Sequence, residues 1–553
     1  MPKGLTSQTN IKKVLLLIVI VIGLFVRVID LENTPSGLHA DEASFLLNAQ
    51  SILETGRDED NRLLPISLNS LIDPKPALYS YLQIPFIALM GPSIAAARLP
   101  AAIMGTVSLV LIYFLMKEFG KEELGLLMCF LLAISPWHIV VSRATQEVIL
   151  SFLFLMLAFY FANKFFQTDK KKWLLTFATA GFFSMYAYHS AKIFLPVFIL
   201  AWGTYLFIKD KIKLNKILLV VAAVVFSVLI SVSLQESTSR FSAIGLLNDP
   251  APPARVLEQI YGATGIVPSF VLRSFYNKPT EYFREFVSEY LSHFDPDFLF
   301  ISGGEPKRYL VPFHGLFYLV EIPLFLLGLY ASALQKKKSL FIFFILILFL
   351  APLPAALTSQ ETPSMIRVFP MMTAMIYFIA EGILFLAKLK VNWKTPVLVL
   401  LSLFYCWQIS YFAMQFFVQQ KVHQPWYRNN PYSEIAHKLT FLESDFNKIL
   451  VTNDLRPLYA YFALEGLIDI LALQKQPLAR NEAVYQIYKY EFNQKSCYLG
   501  ELEPGVLYIA ESVCREQSKE LNKLKVVESI TYPDGNLVYE LLTLPQEYDQ
   551  KVL

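Results

Sequence analysis

Runs of apolar residues long enough to cross a bilayer recur along most of the 553-residue chain. A helix of about 20 apolar residues spans the hydrocarbon core, and about eleven segments reach or approach that length. Only 17% of the residues are charged, against ~25% in a typical soluble domain. The sequence therefore predicts a polytopic α-helical membrane protein, with spans at 14–30, 94–116, 124–138, 147–166, 173–188, 193–208, 215–234, 311–333, 339–357, 366–387 and 395–416. The first run lacks a small-residue cleavage site after it, so we expect a retained span rather than a signal peptide.

Lysines in the short loops give these spans an orientation. With the N-terminus in the cytoplasm, every short inner connection is basic, as the positive-inside rule requires. The residues concerned are Lys3, Lys12 and Lys13, Lys117 and Lys121, Lys164 with Lys170 to Lys172, Lys209 to Lys216, Lys336 to Lys338, and Lys388 to Lys394. Three larger segments then lie outside, namely 31–93, 235–310 and the tail after 417.

The tail differs from the membrane region in its pattern. Short apolar stretches at 448–452, 505–510 and 536–542 are typical of strands, and the last follows a Pro-Asp-Gly turn. We therefore predict a transmembrane domain over 1–417, followed by a small α/β extracytoplasmic domain over 418–553. Cys497 and Cys514 could pair if their compartment is oxidising.

Two adjacent carboxylates, Asp41 and Glu42, follow the first predicted span in the stretch GLHADEASF. The spacing of apolar residues predicts an amphipathic helix over 41–54 that ends before Gly56 and lies along the outer membrane surface. Neighbouring residues on a helix point about 100° apart, so we expect one acid to do chemistry while the other positions something. Acids also stabilise the first turn of any helix, which is the alternative interpretation.

Two cations occur in the next segments. Lys75 lies between prolines in DPKPALYSY, which favours an extended backbone and a fixed ammonium suited to a phosphate. A snorkelling interfacial lysine is the alternative. Arg98 falls within the second span, where a guanidinium is costly unless an acid pairs with it. We expect that acid to be Asp41 or Glu42.

A second group of charges lies in SPWHIVVSRATQEVI, where Arg143 and Glu147 are one helical turn apart. An ordinary surface ion pair is the alternative. Other charged residues fall at predicted outer junctions, where paired or solvated helix ends are the alternative role: His189, Lys192, His293, Arg308 and Arg367. No zinc-binding spacing and no nucleotide-binding loop occurs, so neither a protein metal site nor a nucleoside triphosphate is predicted.

Acids and fixed cations at an outer membrane boundary, with no nucleotide site, indicate a lipid-borne activated donor. A polyprenyl-phosphate sugar meets that requirement. One acid would take the proton from an acceptor hydroxyl as the oxygen attacks the sugar, while Lys and Arg stabilise the leaving phosphate.

In their order along the chain, Asp41-Glu42, DPKPALYSY, ARLPAAIMG and SPWHIVVSRATQEVI resemble membrane glycosyltransferases of the GT-C fold. The resemblance is to the protein O-mannosyltransferase and aminoarabinose transferase group, and it extends over about residues 10 to 390. It implies transfer of a sugar, with inversion, from a polyprenyl phosphate to an acceptor at the outer face of a prokaryotic cell membrane. It also implies roles for individual residues: Asp41 as catalytic base, Glu42 as its neighbouring acid, Lys75 on the donor phosphate, Arg98 near the loop acids, and Glu147 as a second acid.

The predicted site therefore has three groups of residues. The catalytic acids are Asp41, Glu42 and Glu147, the donor-phosphate-binding cations are Lys75, Arg98, Arg143, Lys192, Arg308 and Arg367, and the substrate-binding side chains are His39, Tyr79, Tyr81, His189 and His293. The expected partners are the lipid donor, an outer-face acceptor and the bilayer, without nucleic acid. A divalent cation held by phosphate and carboxylates stays open, as do the sugar and the acceptor.

Two alternative functions explain the sequence less well. A flippase for a lipid-linked saccharide would carry ionisable residues through the middle of several spans, whereas these spans are nearly free of them. A surface receptor that binds through its tail domain leaves the acidic pair unexplained.

Overall fold

The computed structural model describes residues 3–70, 73–209, 211–233, 245–336, 338–452, 458–476, 484–494, 497 and 501–545. The chain divides into two compact units. The first, the membrane-helix unit, comprises Met1–Ile29 and Ala101–Gln415. The second, the sheet unit, comprises Asp30–Pro100 and Phe416–Leu553.

The membrane-helix unit is built almost entirely of helices. Their bounds are Lys3–Val28, Ile94–Glu118, Glu122–Ile134, Pro136–Ser142, Glu147–Thr168, Lys171–Ala187, Ala191–Ile208, Leu214–Ser233, Ala251–Ala263, Ser269–Phe275, Lys278–Ser292, Glu321–Leu334, Ser339–Leu350, Leu353–Ala356, Met371–Lys388 and Lys394–Phe417, the second and the last reaching into the sheet unit. Part of the predicted outer loop 235–310, residues 235–244, lies outside the described residues.

Seven helices in the described residues are long and apolar enough to cross a membrane. The number is eight if the pair Glu122–Ile134 and Pro136–Ser142, bent by 62°, forms one span. Two other predicted spans, 173–188 and 311–333, overlap the shorter helices Lys171–Ala187 and Glu321–Leu334. The protein is thus a multi-pass membrane protein, as the sequence predicts, and the count of about eleven spans stays a prediction.

Two of these helices, Glu321–Leu334 and Met371–Lys388, cross at a pair of glycines. A Cβ atom added to Gly328 would lie 1.6 Å from the carbonyl oxygen of Phe378, and one added to Gly382 would lie 2.0 Å from that of Leu324. Small residues allow membrane helices to approach closely and pack by van der Waals contact. Any larger side chain at either glycine would separate this pair.

The sheet unit contains a β-hairpin and a six-stranded mixed sheet. The hairpin pairs β1 (Ser67–Ser70) with β2 (Asp73–Pro76). The strands of the sheet are β3 (Lys448–Val451), β4 (Val484–Ile487), β5 (Tyr490–Asn493), β6 (Val506–Glu511), β7 (Lys525–Thr531) and β8 (Leu537–Thr543), in the order β4-β5-β3-β6-β8-β7. Strand β3 is parallel to β5 and β6, and the other neighbours are antiparallel.

Together with the helices Tyr432–Leu442, Leu458–Leu464, Ile470–Lys475 and Ser512–Gln517, the sheet confirms the predicted α/β character of the tail. Each of the three predicted strands is present, as β3, β6 and β8. A disulfide joins Cys497 to Cys514. The pairing that the sequence left open is therefore formed in this structure.

The helix that carries the acidic pair, Ala40–Thr55, belongs to the sheet unit and ends at Gly56, whose φ is 71°. Most of its residues are buried, and Leu46 and Leu47 share a hydrophobic core with Ile435 of the tail. The predicted helix is therefore present, but residues on several of its faces pack against protein, and its position along the membrane surface stays a prediction. A second helix of this unit, Leu78–Met90, packs beside it.

Candidate active site

Asp41 lies in the first turn of the Ala40–Thr55 helix and forms an ion pair with Lys75. Lys75 Nζ donates to Asp41 Oδ1 at 2.5 Å. The Asp41 side chain is 26% exposed and that of Lys75 only 4%. The carboxylate is therefore accessible from solvent, while the ammonium that holds it is covered by protein.

Strand β2 fixes the position of Lys75. The backbone of Lys75 pairs with that of Leu68 across the hairpin, and prolines at 74 and 76 flank the lysine. Its ammonium also lies 5.5 Å from the ring centroid of Phe45, a cation–π distance. The predicted extended support for this lysine is present, in the form of a short strand.

His39 caps the same helix. Its Nδ1 accepts a hydrogen bond from the backbone N–H of Asp41 at 3.1 Å and lies 3.5 Å from Asp41 Oδ2. Since Nδ1 is used as an acceptor, the proton of the neutral ring is on Nε2. His39 therefore lies beside the exposed carboxylate, and substrate contact by this histidine stays a prediction.

Glu42 faces away from solvent and pairs with two arginines. Its carboxylate accepts from Arg98 through both oxygens, each at 3.0 Å, and from Arg428 Nη2 at 3.1 Å. Neither the Glu42 nor the Arg98 side chain is exposed. Glu42 Oε2 also accepts the backbone N–H of His39 at 3.2 Å, which completes a capping box.

All five N–H groups of Arg98 are occupied within the protein. Besides its two bonds to Glu42, Arg98 donates to the carbonyl oxygens of Leu31 at 3.1 Å, Pro35 at 2.8 Å and Gly37 at 2.6 Å. A guanidinium with every donor used holds the chain between residues 31 and 37 in one conformation. In this geometry Arg98 positions the loop before the acidic pair.

The tail supplies a second clamp on this loop, which the sequence did not indicate. Arg428 donates through Nε to the carbonyl oxygen of Ser36 at 2.7 Å, in addition to its bond with Glu42. Next to it, the Asn429 side chain accepts the backbone N–H of Ala40 at 2.9 Å. The adjacent acids therefore differ in environment: Glu42 organises the backbone and Asp41 is presented to solvent, while a chemical role for Asp41 stays a prediction.

The two predicted tyrosines lie in the neighbouring helix Leu78–Met90. Tyr79 is buried, with its ring 5.6 Å from that of Phe45 and its hydroxyl donating to the carbonyl oxygen of Ala97 at 3.4 Å. The Tyr81 hydroxyl donates to the carbonyl oxygen of Pro65 at 3.0 Å. Tyr79 therefore packs against the ring that contacts Lys75, Tyr81 holds the chain before strand β1, and substrate contact by either tyrosine stays a prediction.

Arg143 and Glu147 belong to the membrane-helix unit and do not share a helical turn. One helix ends at Ser142 and the next begins at Glu147, so the interpretation of this pair as one turn of helix is wrong. Arg143 donates to the carbonyl oxygens of Val26 at 2.6 Å and Ile29 at 2.7 Å, thereby covering the end of the Lys3–Val28 helix. Glu147 is half-buried in the first turn of its helix.

Two other predicted arginines meet on a glutamate that the sequence did not single out. Arg308 Nη1 lies 3.1 Å from Glu361 Oε1, and Arg367 Nη2 lies 3.5 Å from Glu361 Oε2. A hydrogen bond between Gln146 and Tyr309 ties the segment before Glu147 to the one that carries Arg308. The arginines thus form a cationic pair around one half-exposed carboxylate.

The remaining predicted residues have ordinary local partners. Lys192 Nζ lies 3.3 Å from His189 Nδ1. His293 accepts the backbone N–H of Ser364 at Nε2, 3.0 Å away, and its Nδ1 lies 2.8 Å from the carbonyl oxygen of Glu289. Both ring nitrogens of His293 are therefore used, and burial lowers its pKa to about 4. This histidine holds two segments of the protein together in its neutral form.

A buried polar network inside the membrane helices was also missed. Arg27 donates to the carbonyl oxygens of Gly23 and Ala133 at 2.8 and 3.2 Å, and its Nη2 lies 2.7 Å from His138 Nδ1. His138 Nε2 in turn lies 2.9 Å from the Ser108 hydroxyl. The spans therefore carry more ionisable groups than the sequence pattern suggested, although these are engaged with protein. Arg27 within the first apolar run was the available signal.

No group of three or more His, Cys, Asp or Glu side chains among the described residues is arranged to hold a metal ion.

Comparison with known proteins identifies the fold of the chain. The family model of dolichyl-phosphate-mannose-protein mannosyltransferases matches residues 74–234. The crystal structure of ArnT from Cupriavidus metallidurans bound to undecaprenyl phosphate is similar over 97% of this chain and 98% of that chain, with a TM-score of 0.53 and 11% identity. The chain has the GT-C fold. It is a GT-C protein similar to the mannosyltransferases and aminoarabinose transferases.

A second structure is less similar. Archaeal oligosaccharyltransferase AglB from Archaeoglobus fulgidus, in complex with an inhibitory peptide and a dolichol-phosphate, matches with a TM-score of 0.48 and 11% identity over 82% of this chain. This chain spans 64% of the length of that chain. A search of curated proteins gave no match. The family match of this GT-C chain includes Lys75, Arg98 and Glu147, whereas Asp41 and Glu42 precede it.

Proposed function

We propose that this GT-C protein transfers a sugar from a polyprenyl-phosphate donor to an acceptor hydroxyl at the outer face of a prokaryotic cell membrane. Asp41 is the general base and the product has an inverted anomeric centre. The observation that carries the proposal is the 2.5 Å pair between an accessible Asp41 and a covered Lys75, supported by the buried pair of Glu42 and Arg98. In such a pair the carboxylate can accept a proton and the ammonium can bind a phosphate.

Lys75 links donor binding to the base. In the structure its ammonium donates a hydrogen bond to Asp41 Oδ1. That oxygen is one of the two atoms that would take the acceptor proton. A phosphate is a strong acceptor for an ammonium. When the donor phosphate draws the Lys75 ammonium toward itself, that oxygen becomes available to the acceptor.

The reaction then requires one proton transfer and one displacement. The acceptor hydroxyl gives its proton to Asp41 while its oxygen forms a bond to the anomeric carbon of the sugar. The bond from that carbon to the phosphate oxygen breaks, and polyprenyl phosphate leaves with the electron pair. Lys75 stabilises the negative charge on the leaving phosphate. General base catalysis by Asp41 would raise the reaction rate by roughly 10²- to 10⁴-fold.

Two comparisons support the choice of donor. The ArnT structure was solved with undecaprenyl phosphate, and the matching family is described by dolichyl-phosphate-mannose. The lipid carrier in both is the phosphate of a long isoprenoid alcohol. We infer the same class of carrier here, with mannose and aminoarabinose as the first sugars to test. The proposed role of Glu147 as a second acid carries over from the resemblance, and the donor-phosphate roles of Arg143, Lys192, Arg308 and Arg367 stay predictions from the sequence.

The test is sugar transfer by the purified protein in lipid nanodiscs. Polyprenyl-phospho-mannose and polyprenyl-phospho-aminoarabinose, each labelled in the sugar, are supplied with membranes as acceptor. We expect release of polyprenyl phosphate and labelled product with wild type and with Glu54→Gln, but not with Asp41→Asn. Glu54 is a matched control, because it is an exposed acid on the same helix whose side chain accepts from Gln50.

The same purified protein reconstituted in sealed lipid vesicles tests the alternative, a flippase for a lipid-linked saccharide. A flippase moves a labelled donor between leaflets without consuming it. Transbilayer movement that persists in Asp41→Asn, with no release of polyprenyl phosphate by wild type, would replace the proposed function by that one.

A further inference from the structure

A polar cavity of about 710 Å³ lies in the membrane-helix unit, at helix ends that the positive-inside rule assigns to the cytoplasm. Its walls come from the ends of Glu321–Leu334 and Met371–Lys388 and from the start of Glu122–Ile134. Small-molecule sites are typically 300–1,000 Å³. The cavity is thus large enough to hold a lipid headgroup.

The acids at the entrance already have partners. Glu122 accepts from the Tyr113 hydroxyl at 2.6 Å and lies 3.2 Å from Lys117 Nζ. Glu123 lies 3.3 Å from Lys12 Nζ. These five side chains form a closed network in which the acids are neutralised.

Three other lysines line the cavity without such partners. Lys121, Lys336 and Lys388 form no ion pair with any residue that the structure describes. Three positive charges therefore face one space. Lysines on inner loops orient a membrane protein, and orientation alone would explain them if the cavity held nothing else.

The position of Glu381 is not explained by the orientation of the protein in the membrane. It lines the cavity from the Met371–Lys388 helix, and only 8% of the residue is exposed. Its carboxylate has no hydrogen bond or ion pair within the described part of the chain. A buried acid in a membrane helix is costly and marks a functional site by default. Gly382, in the close helix crossing, fixes the backbone beside it.

We propose that this cavity binds the headgroup of phosphatidylethanolamine from the inner leaflet. The phosphate would lie among Lys121, Lys336 and Lys388, and the ammonium would donate to Glu381. A phosphate alone would leave the Glu381 carboxylate unpaired, and a cation alone would leave the three lysines unpaired. A headgroup that carries both charges satisfies both sets of side chains.

The apolar part of the lining is consistent with a lipid rather than a free metabolite. Leu124, Leu384 and Phe385 are part of the wall, so acyl chains could leave the site along apolar side chains. Basic pockets between membrane helices on the cytoplasmic side are a known mode of phospholipid recognition. Glu381 adds selection for a headgroup that donates hydrogen bonds.

Native mass spectrometry of the delipidated full chain tests this site without any sugar transfer. The probes are phosphatidylethanolamine, phosphatidylcholine and phosphatidylglycerol with identical acyl chains. Choline has the same charge as ethanolamine but no N–H, and glycerol has no cation. We expect wild type to retain phosphatidylethanolamine about fivefold or more better than either other lipid.

Variants of the cavity distinguish recognition of the ammonium from recognition of the phosphate. Glu381→Gln should bind phosphatidylethanolamine no better than phosphatidylcholine. Lys121→Ala combined with Lys388→Ala should weaken all three lipids, by about fivefold per lysine removed. Lys390→Ala is the matched control, since Lys390 is exposed, lies two residues from Lys388 and does not line the cavity.

Several results would overturn the proposal. Equal retention of the three lipids by wild type would exclude selection by Glu381, and so would a preference for phosphatidylglycerol. Phosphatidylethanolamine binding by the double lysine variant that equals binding by Lys390→Ala would exclude the cavity. If soluble phosphoethanolamine binds as tightly as the lipid, the ligand is a metabolite and not a membrane phospholipid. The lysines are exposed or half-exposed at chain turns, so these variants should fold even if Glu381→Gln does not.

Discussion

Asp41 Oδ1 and Lys75 Nζ lie 2.5 Å apart, although 34 residues separate them in the chain. One residue further along the helix, Glu42 contacts two arginines and no solvent. Adjacent carboxylates in one helical turn thus have opposite environments. Because of this difference, we expect substitution of Asp41 to affect sugar transfer and substitution of Glu42 to affect stability.

Asp41→Asn should abolish sugar transfer and leave the protein folded. The amide has the shape of the carboxylate and its oxygen can still accept the hydrogen bond from Lys75 Nζ, but it cannot take the acceptor proton. We expect turnover to fall by about 10²- to 10⁴-fold, with a melting temperature close to wild type. Transfer by this variant at the rate of Glu54→Gln would contradict the base assignment.

Glu42→Gln should instead act on stability. Removing this charge leaves the buried guanidinium groups of Arg98 and Arg428 without a counter-ion, and breaking a buried ion pair typically costs about 3–5 kcal/mol. A lower melting temperature and a lower yield of folded protein are the expected results. Adding Arg428→Met to Glu42→Gln should restore part of the loss, because one unpaired cation is removed. Equal stability of Glu42→Gln and Asp41→Asn would show that the two acids are not divided in this way.

Lys75→Met should weaken binding of the lipid donor. Methionine fills the covered space beside Phe45 but removes the ammonium, and a hydrogen bond to a charged group is worth about 1.5–3 kcal/mol, or roughly 10- to 100-fold in affinity. A donor titration should therefore show an apparent constant raised by at least about tenfold. Lys75→Arg should retain part of the affinity. If both variants bind donor like wild type but yield little protein, Lys75 is structural.

Local patterns in the sequence predicted the elements around this site. The strands β3, β6 and β8 and the helix end at Gly56 each depend on a few consecutive residues, and all are present. Helix geometry alone predicted that Asp41 and Glu42 would point in different directions, and their environments differ accordingly. Features of this kind need no knowledge of distant segments.

Long-range partners had no such signal. Arg428 lies 386 residues from Glu42, and nothing in its own neighbourhood marks it as a partner. The burial of polar residues on the 41–54 helix had no signal for the same reason, since their partners lie elsewhere in the chain. Asn48 donates to Glu59 at 3.0 Å, and Ser51 accepts from Gln474 of the tail at 2.9 Å. A buried polar residue with a distant partner has the same sequence pattern as an exposed one.

The disulfide gives a prediction for the sheet unit. Cys497 and Cys514 are 17 residues apart, and closing a loop of about this length stabilises a folded domain by roughly 3 kcal/mol in the chain-entropy description. A reducing agent should lower the melting temperature of wild type. The double variant Cys497→Ala and Cys514→Ala should already melt at the lower temperature and should not respond to the reductant. A wild-type protein that is indifferent to reduction would contradict a stabilising bond.

His293 gives a pH dependence with a defined sign. Burial lowers the pKa of its ring from 6.5 to about 4 in the folded protein, so between these values the unfolded chain binds the extra proton and the folded chain does not. The stabilisation by neutral His293 is therefore complete above about pH 6.5 and is lost as the pH falls toward about 4, by an amount on the order of 3 kcal/mol. Melting temperatures of wild type should fall more steeply over this window than those of His293→Gln, which keeps an acceptor for the Ser364 N–H but cannot titrate. Parallel curves for the two proteins would show that this ring is protonated in the folded state as readily as in the unfolded one.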